Sequence, residues 1–153
     1  MSGEDNLLRL VEGDTTTPED YHLQEQIGFL LRKAHQRHVA IFASQVGDLT
    51  PPQFAALARL FEDGGTSQNQ LGAMIAMDAA TVKGVIDRLK ARGLVELSRH
   101  EGDKRRLMVN LTAEGRQTIE RLIPLARKAT EETLSPFSAR EATTLTKLLA
   151  KIA

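Results

Sequence analysis

Two groups of residues in this chain have the types and spacing to act on a ligand. The first is basic: Arg99, Lys104, Arg105 and Arg106 bracket His100-Glu101-Gly102-Asp103. Guanidinium and ammonium groups at this density suit phosphate oxygens. An Arg on a thin loop can also enter the narrow minor groove of A·T-rich DNA, where the negative potential is strongest. The same residues would equally serve a charged turn that keeps a sheet edge soluble. The second group sets imidazole and guanidinium beside apolar side chains: His35, Arg37, His38 and Phe42. These could hold the carboxylate and ring of a small aromatic acid. Either His would also suit an interface in which it merely bonds to backbone.

Composition narrows the chemistry further. The 153 residues include no Cys, which excludes a disulfide scaffold, a thiolate metal site, a Cys nucleophile and a cysteine redox sensor. His35 and His38 have no Cys or well-spaced acid to complete a metal site, so no metal and no cofactor is expected. None of His22, His35, His38 and His100 has a Ser/Asp arrangement nearby, and there is no P-loop, GxGxxG or metal-ligand string. An enzyme is therefore not expected. No apolar run approaches the roughly 20 residues of a membrane span. The first 25 residues set Glu4, Asp5, Glu12, Asp14, Glu19, Asp20 and Glu25 against Arg9 alone, the reverse of a signal or transit peptide. A cytoplasmic protein with no membrane contact is expected.

Net charge is zero, but the charges are segregated. Against that acidic start stands residues 81–106, where Lys83, Arg88, Lys90, Arg92, Arg99, Lys104, Arg105 and Arg106 outnumber Asp87, Glu96, Glu101 and Asp103. A confined basic block in a neutral chain suits a polyanion-binding surface, or simply a solvated patch.

The elements that must position these residues follow from periodicity. Residues 1–20 show no sustained period and read as an acidic, flexible tail. A helical period then runs from Tyr21 to Val46, through Ile27, Leu30, Leu31, Ala34, His38, Ile41, Phe42 and Gln45. At ~26 residues that helix is longer than a small domain needs for its own core. Thr50-Pro51-Pro52-Gln53, Ser67-Gln68-Asn69-Gln70 and Ser138-Ala139-Arg140-Glu141 are capping boxes that open further helices. Asp78 caps a helix over 79–92 with Val82, Val85, Ile86 and Leu89 inward, and Gly93 stops it. Val95 and Leu97, then Leu107, Val109 and Leu111, alternate with polar residues and predict two antiparallel strands joined by the charged 99–106 tip. Thr112 caps a helix in which Pro124 predicts a kink.

A short helix at 67–76, a tight turn and a helix at 79–92 make a helix-turn-helix, and the hairpin that follows makes it winged. On the second helix the outward face is Ala80, Gly84, Asp87 and Ala91, flanked by Thr81 and Arg88 on one side and Lys83 and Lys90 on the other. Ala80 and Gly84 are small enough to admit a duplex. Thr81 can donate to a base or touch a thymine methyl, and Lys83 can reach guanine or phosphate. Asp87 would repel phosphates unless paired. An ordinary surface helix would carry the same residues.

Here the sequence resembles the MarR family of bacterial transcription regulators over about Leu23–Ile152. The resemblance rests on Asp87-Arg88-Leu89, Arg92-Gly93-Leu94-Val95, Arg99, Gly102-Asp103-Lys104-Arg105-Arg106 and Leu111-Thr112-Ala113-Glu114-Gly115. It implies a mainly α fold: about six helices plus a two-stranded wing, with N- and C-terminal dimerisation helices. The implied division is a tail at 1–20, a dimerisation helix at 21–49, a winged helix-turn-helix at 50–111 and C-terminal dimerisation helices at 112–153. The implied function is a homodimeric repressor that reads a palindromic operator in double-stranded DNA and is released by a small aromatic acid or its CoA thioester. Ala80, Thr81, Lys83, Gly84 and Arg88 would face the major groove, with Ser67, Gln68 and Asn69 at the start of the preceding helix. Arg99, Asp103, Lys104, Arg105 and Arg106 would form the wing, with Arg105 reading the minor groove and Asp103 bracing the wing through Arg88. Some relatives carry Arg where this chain has Gly84, so that phosphate contact would be either missing or supplied by Lys83. A weaker match at Glu25–His38 resembles a subgroup linked to aromatic-acid catabolism, with His35, Arg37, His38 and Phe42 as the candidate effector site. Gly84 and Asp87 leave open a winged-helix protein-interaction module without DNA binding.

Overall fold

Capping chemistry sets most of the helix boundaries. The computed structural model describes Pro18–Ala153, so residues 1–17, and with them most of the expected acidic tail, lie outside the described residues. Among the described residues six α-helices form: α1 (Ile27–Val46), α2 (Pro51–Asp63), α3 (Gln68–Met74), α4 (Ala79–Ala91), α5 (Ala113–Leu134) and α6 (Ala139–Leu149). Three strands join them: β1 (Thr66–Ser67), β2 (Val95–Arg99) and β3 (Leu107–Leu111). Thr50 and Gln53 close a reciprocal capping box on α2, and Ser138 and Glu141 do the same for α6. Ser67, Asp78 and Thr112 each accept the backbone N–H three residues on.

The chain divides into two units, residues up to Gln36 and Arg37–Ala153. The first holds short 3-10 turns at Pro18–Asp20 and Leu23–Glu25 and the beginning of α1. The first helix thus starts at Ile27 rather than at Tyr21. Tyr21 and Leu23 are two residues apart, out of helical step, and Gln26 is extended, with its amide nitrogen donating to the His22 carbonyl at 3.1 Å. Within this unit Tyr21, Leu23, Ile27, Leu30 and Leu31 are all exposed.

The second unit carries the core. Leu57 and Leu60 from α2, Leu71 from α3, Val82, Ile86 and Leu89 from α4, Val109 from β3, and Ile119 and Leu122 from α5 are essentially inaccessible to solvent. The strands form an antiparallel sheet in the order β1-β3-β2, with β2 and β3 in register from Val95 opposite Leu111 to Arg99 opposite Leu107. The two-residue strand β1 was not expected from the sequence. It pairs Thr66 with Val109 and Ser67 with Met108. Gly65 makes this approach possible, because a Cβ there would collide with the Asn110 side-chain oxygen. Pro124 is accommodated within one continuous α5. Glu120, whose carbonyl loses its helical donor to the proline, is exposed, as is Pro124. No residue of α6 is buried, and Leu148, Leu149 and Ile152 near the C-terminus are exposed.

The turn between α3 and α4 is closed by Met77 N–H donating to the Gly72 carbonyl at 2.8 Å. It forces Ala76 into the left-handed region at φ 55°. An L-residue there is strained, so Ala76→Gly is expected to stabilise the protein by about 1 kcal/mol in urea unfolding at fixed protein concentration.

The next residue but one sets a pH dependence. The Thr81 backbone N–H, and then its hydroxyl, hold the Asp78 carboxylate below its ordinary range. A lowered folded-state value means that the cap's contribution is complete above the ordinary carboxylate range. It is lost as pH falls through the lowered value. The difference in thermal midpoint between wild type and Asp78→Ala should hold from neutrality to about pH 5 and then shrink with further acidification.

Candidate nucleic-acid interface

The wheel expected for α4 is the one observed: Val82, Val85, Ile86 and Leu89 are buried, while Ala80, Thr81, Lys83, Asp87 and Arg88 are exposed and Gly84 is half-buried. Two groups are already engaged. Lys83 Nζ lies 2.8 Å from Asp87 Oδ2, so the acid that would repel phosphate is paired within the helix. Both side chains are solvent-exposed, and such a pair is weak and screened by salt. Thr81 Oγ1 donates to Asp78 Oδ2 at 3.0 Å, so its proton is committed to the cap and its methyl and lone pairs remain for a ligand. Arg88 forms no ion pair or side-chain hydrogen bond among the described residues.

An open groove of about 510 Å³ runs along this face, lined by Ala80, Thr81, Gly84, Val85 and Arg88 of α4 with Thr50, Pro52 and Gln53 at the start of α2. The α2 residues were not expected at the site. Their signal was in the sequence, in the capping box, but a box shows where a helix starts and not what that start faces. A second gap of about 190 Å³ brings Ser67, Gln68 and Asn69 together with Arg105, Arg106 and Leu107. The sequence had proposed these two groups separately, and β1 pairing with β3 is what joins them.

The wing cations fall into two classes. Arg99 Nη1 donates to the Lys104 carbonyl at 2.8 Å, across the hairpin. Arg106 Nη2 donates to Gln70 Oε1 at 3.2 Å, and that oxygen also accepts from the hydroxyls of Thr66 and Ser67. Gln70 is therefore turned to the hydroxyls and the wing, not back to the Ser67 N–H as a full capping box would require. Lys104 and Arg105 have no side-chain partner among the described residues.

Asp103 does brace the wing, but not through Arg88. Its Oδ1 accepts the Arg105 N–H at 3.0 Å and its carbonyl accepts the Arg106 N–H at 3.0 Å. No ion pair joins it to Arg88.

The candidate effector residues have structural partners. His35 is exposed and lies in the first unit. In the second, Arg37 donates to the carbonyls of Thr133 at 2.7 Å and Glu132 at 3.2 Å, satisfying the last turn of α5. His38 Nδ1 is 2.8 Å from Thr133 Oγ1, and that hydroxyl gives its own proton to the Ala129 carbonyl at 2.7 Å. His38 must then donate from Nδ1, leaving Nε2 as its remaining polar atom. Phe42 is buried and meets Phe54 edge-on at 5.4 Å.

Among known proteins, the MarR family description matches residues 49–107, from the residue before the Thr50 cap to the return strand of the wing. A curated relative, the HTH-type transcriptional repressor NicR of Pseudomonas putida, is 43% identical over 134 residues, 86% of this chain and 85% of its own. A crystal structure of a probable transcriptional regulator from Pseudomonas aeruginosa is 49% identical with a TM-score of 0.84, covering 86% of this chain and 100% of its own. The structure of Bordetella bronchiseptica BpsR, whose DNA binding is regulated by 6-hydroxynicotinic acid, is 41% identical with a TM-score of 0.83, covering 86% of this chain and 96% of its own. With a winged helix-turn-helix in place and relatives this similar over most of their length, the chain belongs to the MarR family of transcriptional regulators.

Proposed function

We propose that this chain is a homodimeric, sequence-specific repressor that acts on DNA in the cytoplasm and leaves its operator when a small hydroxylated aromatic acid binds. The observation that carries the DNA reading is the division among the wing cations. Arg99 and Arg106 donate to the Lys104 carbonyl and to Gln70 of α3, while Lys104 and Arg105 have no side-chain partner among the described residues. None of the four wing cations forms an ion pair among the described residues, and such charge held on a braced hairpin suits a polyanion. On α4, Arg88 likewise has no side-chain partner among the described residues, and the Ala80–Gly84 face is open to a base-pair edge. NicR, a repressor, and BpsR, a DNA-binding protein, support this reading by likeness.

Dimerisation is supported by apolar surface without a partner. Ile27, Leu30 and Leu31 in the first unit, and Leu148, Leu149 and Ile152 at the end of the second, are exposed. Amphipathic helices do not leave such faces in water. A dimer also supplies the two recognition helices that a palindrome about one helical turn across requires. Light scattering should give twice 16.8 kDa at micromolar concentration. On an operator recovered by selection, Arg105→Ala should lower the salt slope of binding by about one if it neutralises one phosphate, and should weaken preference for A·T-rich flanks. Thr81→Ala should instead change the preferred core sequence, by ~1–3 kcal/mol per lost base contact. An Arg105→Ala protein that binds like wild type at every salt concentration would refute the wing assignment.

For the effector, we infer a site beside His38, Arg37 and Phe42, where α1 meets the end of α5. The likeness to BpsR supports a hydroxynicotinate-type acid. His38 Nε2 can accept from a ring hydroxyl, and Arg37 can exchange a backbone carbonyl for a carboxylate. A ligand releases DNA only by its differential affinity for the state that no longer fits the operator. Calorimetry with 6-hydroxynicotinic acid and a panel of benzoates and cinnamates, free and as CoA thioesters, should show at least about tenfold weaker binding to His38→Ala, the loss of one hydrogen bond. Unchanged affinity for an acid that does release DNA would place the site elsewhere.

A further inference from the structure

We infer that His100 is a positioning residue for Arg105, and that it works only as an uncharged imidazole carrying its proton on Nε2. The inference rests on the reading of Arg105 as the wing's contact with the minor groove. It starts from an unusual turn. His100 Nδ1 accepts two backbone N–H bonds, from Gly102 at 3.0 Å and from Asp103 at 3.2 Å. An imidazole nitrogen can accept only when it carries no proton, which fixes the tautomer. The ring lies directly on the backbone it holds. A Cβ at position 102 would stand 3.3 Å from its Cε1 and 3.4 Å from its Nδ1, so glycine leaves the ring room.

From that nitrogen a short chain of bonds leads to Arg105. Nδ1 fixes the backbone at Gly102 and Asp103. The Asp103 carboxylate, so placed, accepts the Arg105 N–H, and the Asp103 carbonyl accepts the Arg106 N–H. The Arg106 carbonyl accepts the His100 N–H at 3.0 Å and closes the ring of contacts. The tip contains no apolar side chain that could hold this conformation by packing. Its shape is held by hydrogen bonds, and two of them end on one titratable atom.

Histidine side chains change charge between about pH 5 and 8. A protonated His100 has two donors and no acceptor, so both amides lose their partner at once. The charged groups of the hairpin that carries it are Arg99 on the outgoing strand, Glu101 and Asp103 in the turn, and Lys104, Arg105 and Arg106 on the return. Asp103 Oδ1 is held by the Arg105 N–H, and Arg99 by the Lys104 carbonyl. Protonation therefore has two effects of opposite sign. It adds a positive charge, which strengthens binding to any duplex, and it releases the tip, which weakens only what Arg105 reads.

The test separates the two by taking a ratio. Affinities are measured at constant ionic strength for two duplexes that share the operator core and differ only in an A·T-rich or G·C-rich flank. Uniform charge effects cancel in the ratio. Wild type should favour the A·T-rich flank at about pH 7.5 and lose most of that preference once acidification protonates His100, as followed by the ring's own NMR signals. His100→Ala should lack the preference throughout. In His100→Asn the amide oxygen replaces Nδ1 as an acceptor for backbone N–H groups two and three residues on, without titrating. This variant should keep the wild-type preference throughout. Thermal midpoints equal to wild type show that the variants are folded, and His100 is exposed, so no core contact is lost. Arg105→Ala tells the two possible failures apart. If it leaves the flank preference intact, the wing reading itself is wrong. If it abolishes the preference while His100→Ala keeps it, the positioning role is wrong. A wild-type preference that survives protonation of His100, or a loss that persists in His100→Asn and so belongs to another group, also overturns the inference.

Discussion

The buried stripe of α4 is the constraint on which the interface depends. Val82, Val85, Ile86 and Leu89 are at most 4% exposed. Burying each stabilises the fold by roughly 1.5–3 kcal/mol, so together they contribute on the order of the whole stability of a small domain. The helix therefore cannot rotate about its axis without unfolding its surroundings. Helical geometry then dictates which residues face outward, and it places Ala80, Thr81, Gly84, Asp87 and Arg88 there. Chemistry on that face can vary only within the limits that the stripe sets.

The wing is built on the opposite principle. Its tip is exposed, and hydrogen bonds to side chains do the work that packing does for α4. Arg99, His100 and Asp103 each satisfy backbone groups of the same hairpin. Isolated surface bonds are individually weak, and several in one ring restrict a short loop better than any one alone. A consequence is that most polar groups at the tip are already occupied. The neutral net charge of the chain thus says little about its field, since among the described residues Arg88, Arg99, Lys104, Arg105 and Arg106 form no ion pair.

These two principles account for what could be read in the sequence. The α4 face and the two long strands were legible because apolar periodicity of 3.6 and 2 reports burial directly. The helix starts were legible because a cap is a local contact over three residues. What escaped depends on contacts distant in sequence. Strand β1 is two residues long, too short for a period, and exists because Gly65 lets the chain approach Asn110. Gln70 completes a capping motif in sequence, yet in the fold its oxygen serves the wing. The expected Asp103–Arg88 pair does not form, and Asp103 instead accepts from the Arg105 N–H within its own turn. Arg37 and His38 were recognised as unusual residues on an apolar helix, but their partners at Glu132 and Thr133 lie some 95 positions away.

The same long-range bonds determine what else moves if α1 shifts against α5. The end of α1 turns into α2 through Gly47 and Asp48, and Asp48 is held from two directions. Arg92, at the C-cap of α4, donates to its carbonyl at 2.6 Å, and Arg121 of α5 pairs with its carboxylate at 3.1 Å. Arg37 and His38 hold the other side of this packing, at the last turn of α5. These bonds tie α1 and the loop after it to the last turn of α5 at one end and to the C-terminal end of α4 at the other. Both α1 and α5 are stiff over this distance, whereas exposed ion pairs are cheap to rearrange. Asp48 thus joins the loop after α1 to both α4 and α5. Coupling through a physical bond of this kind needs no change in the core. It ties the helix that faces the groove to the loop that follows α1.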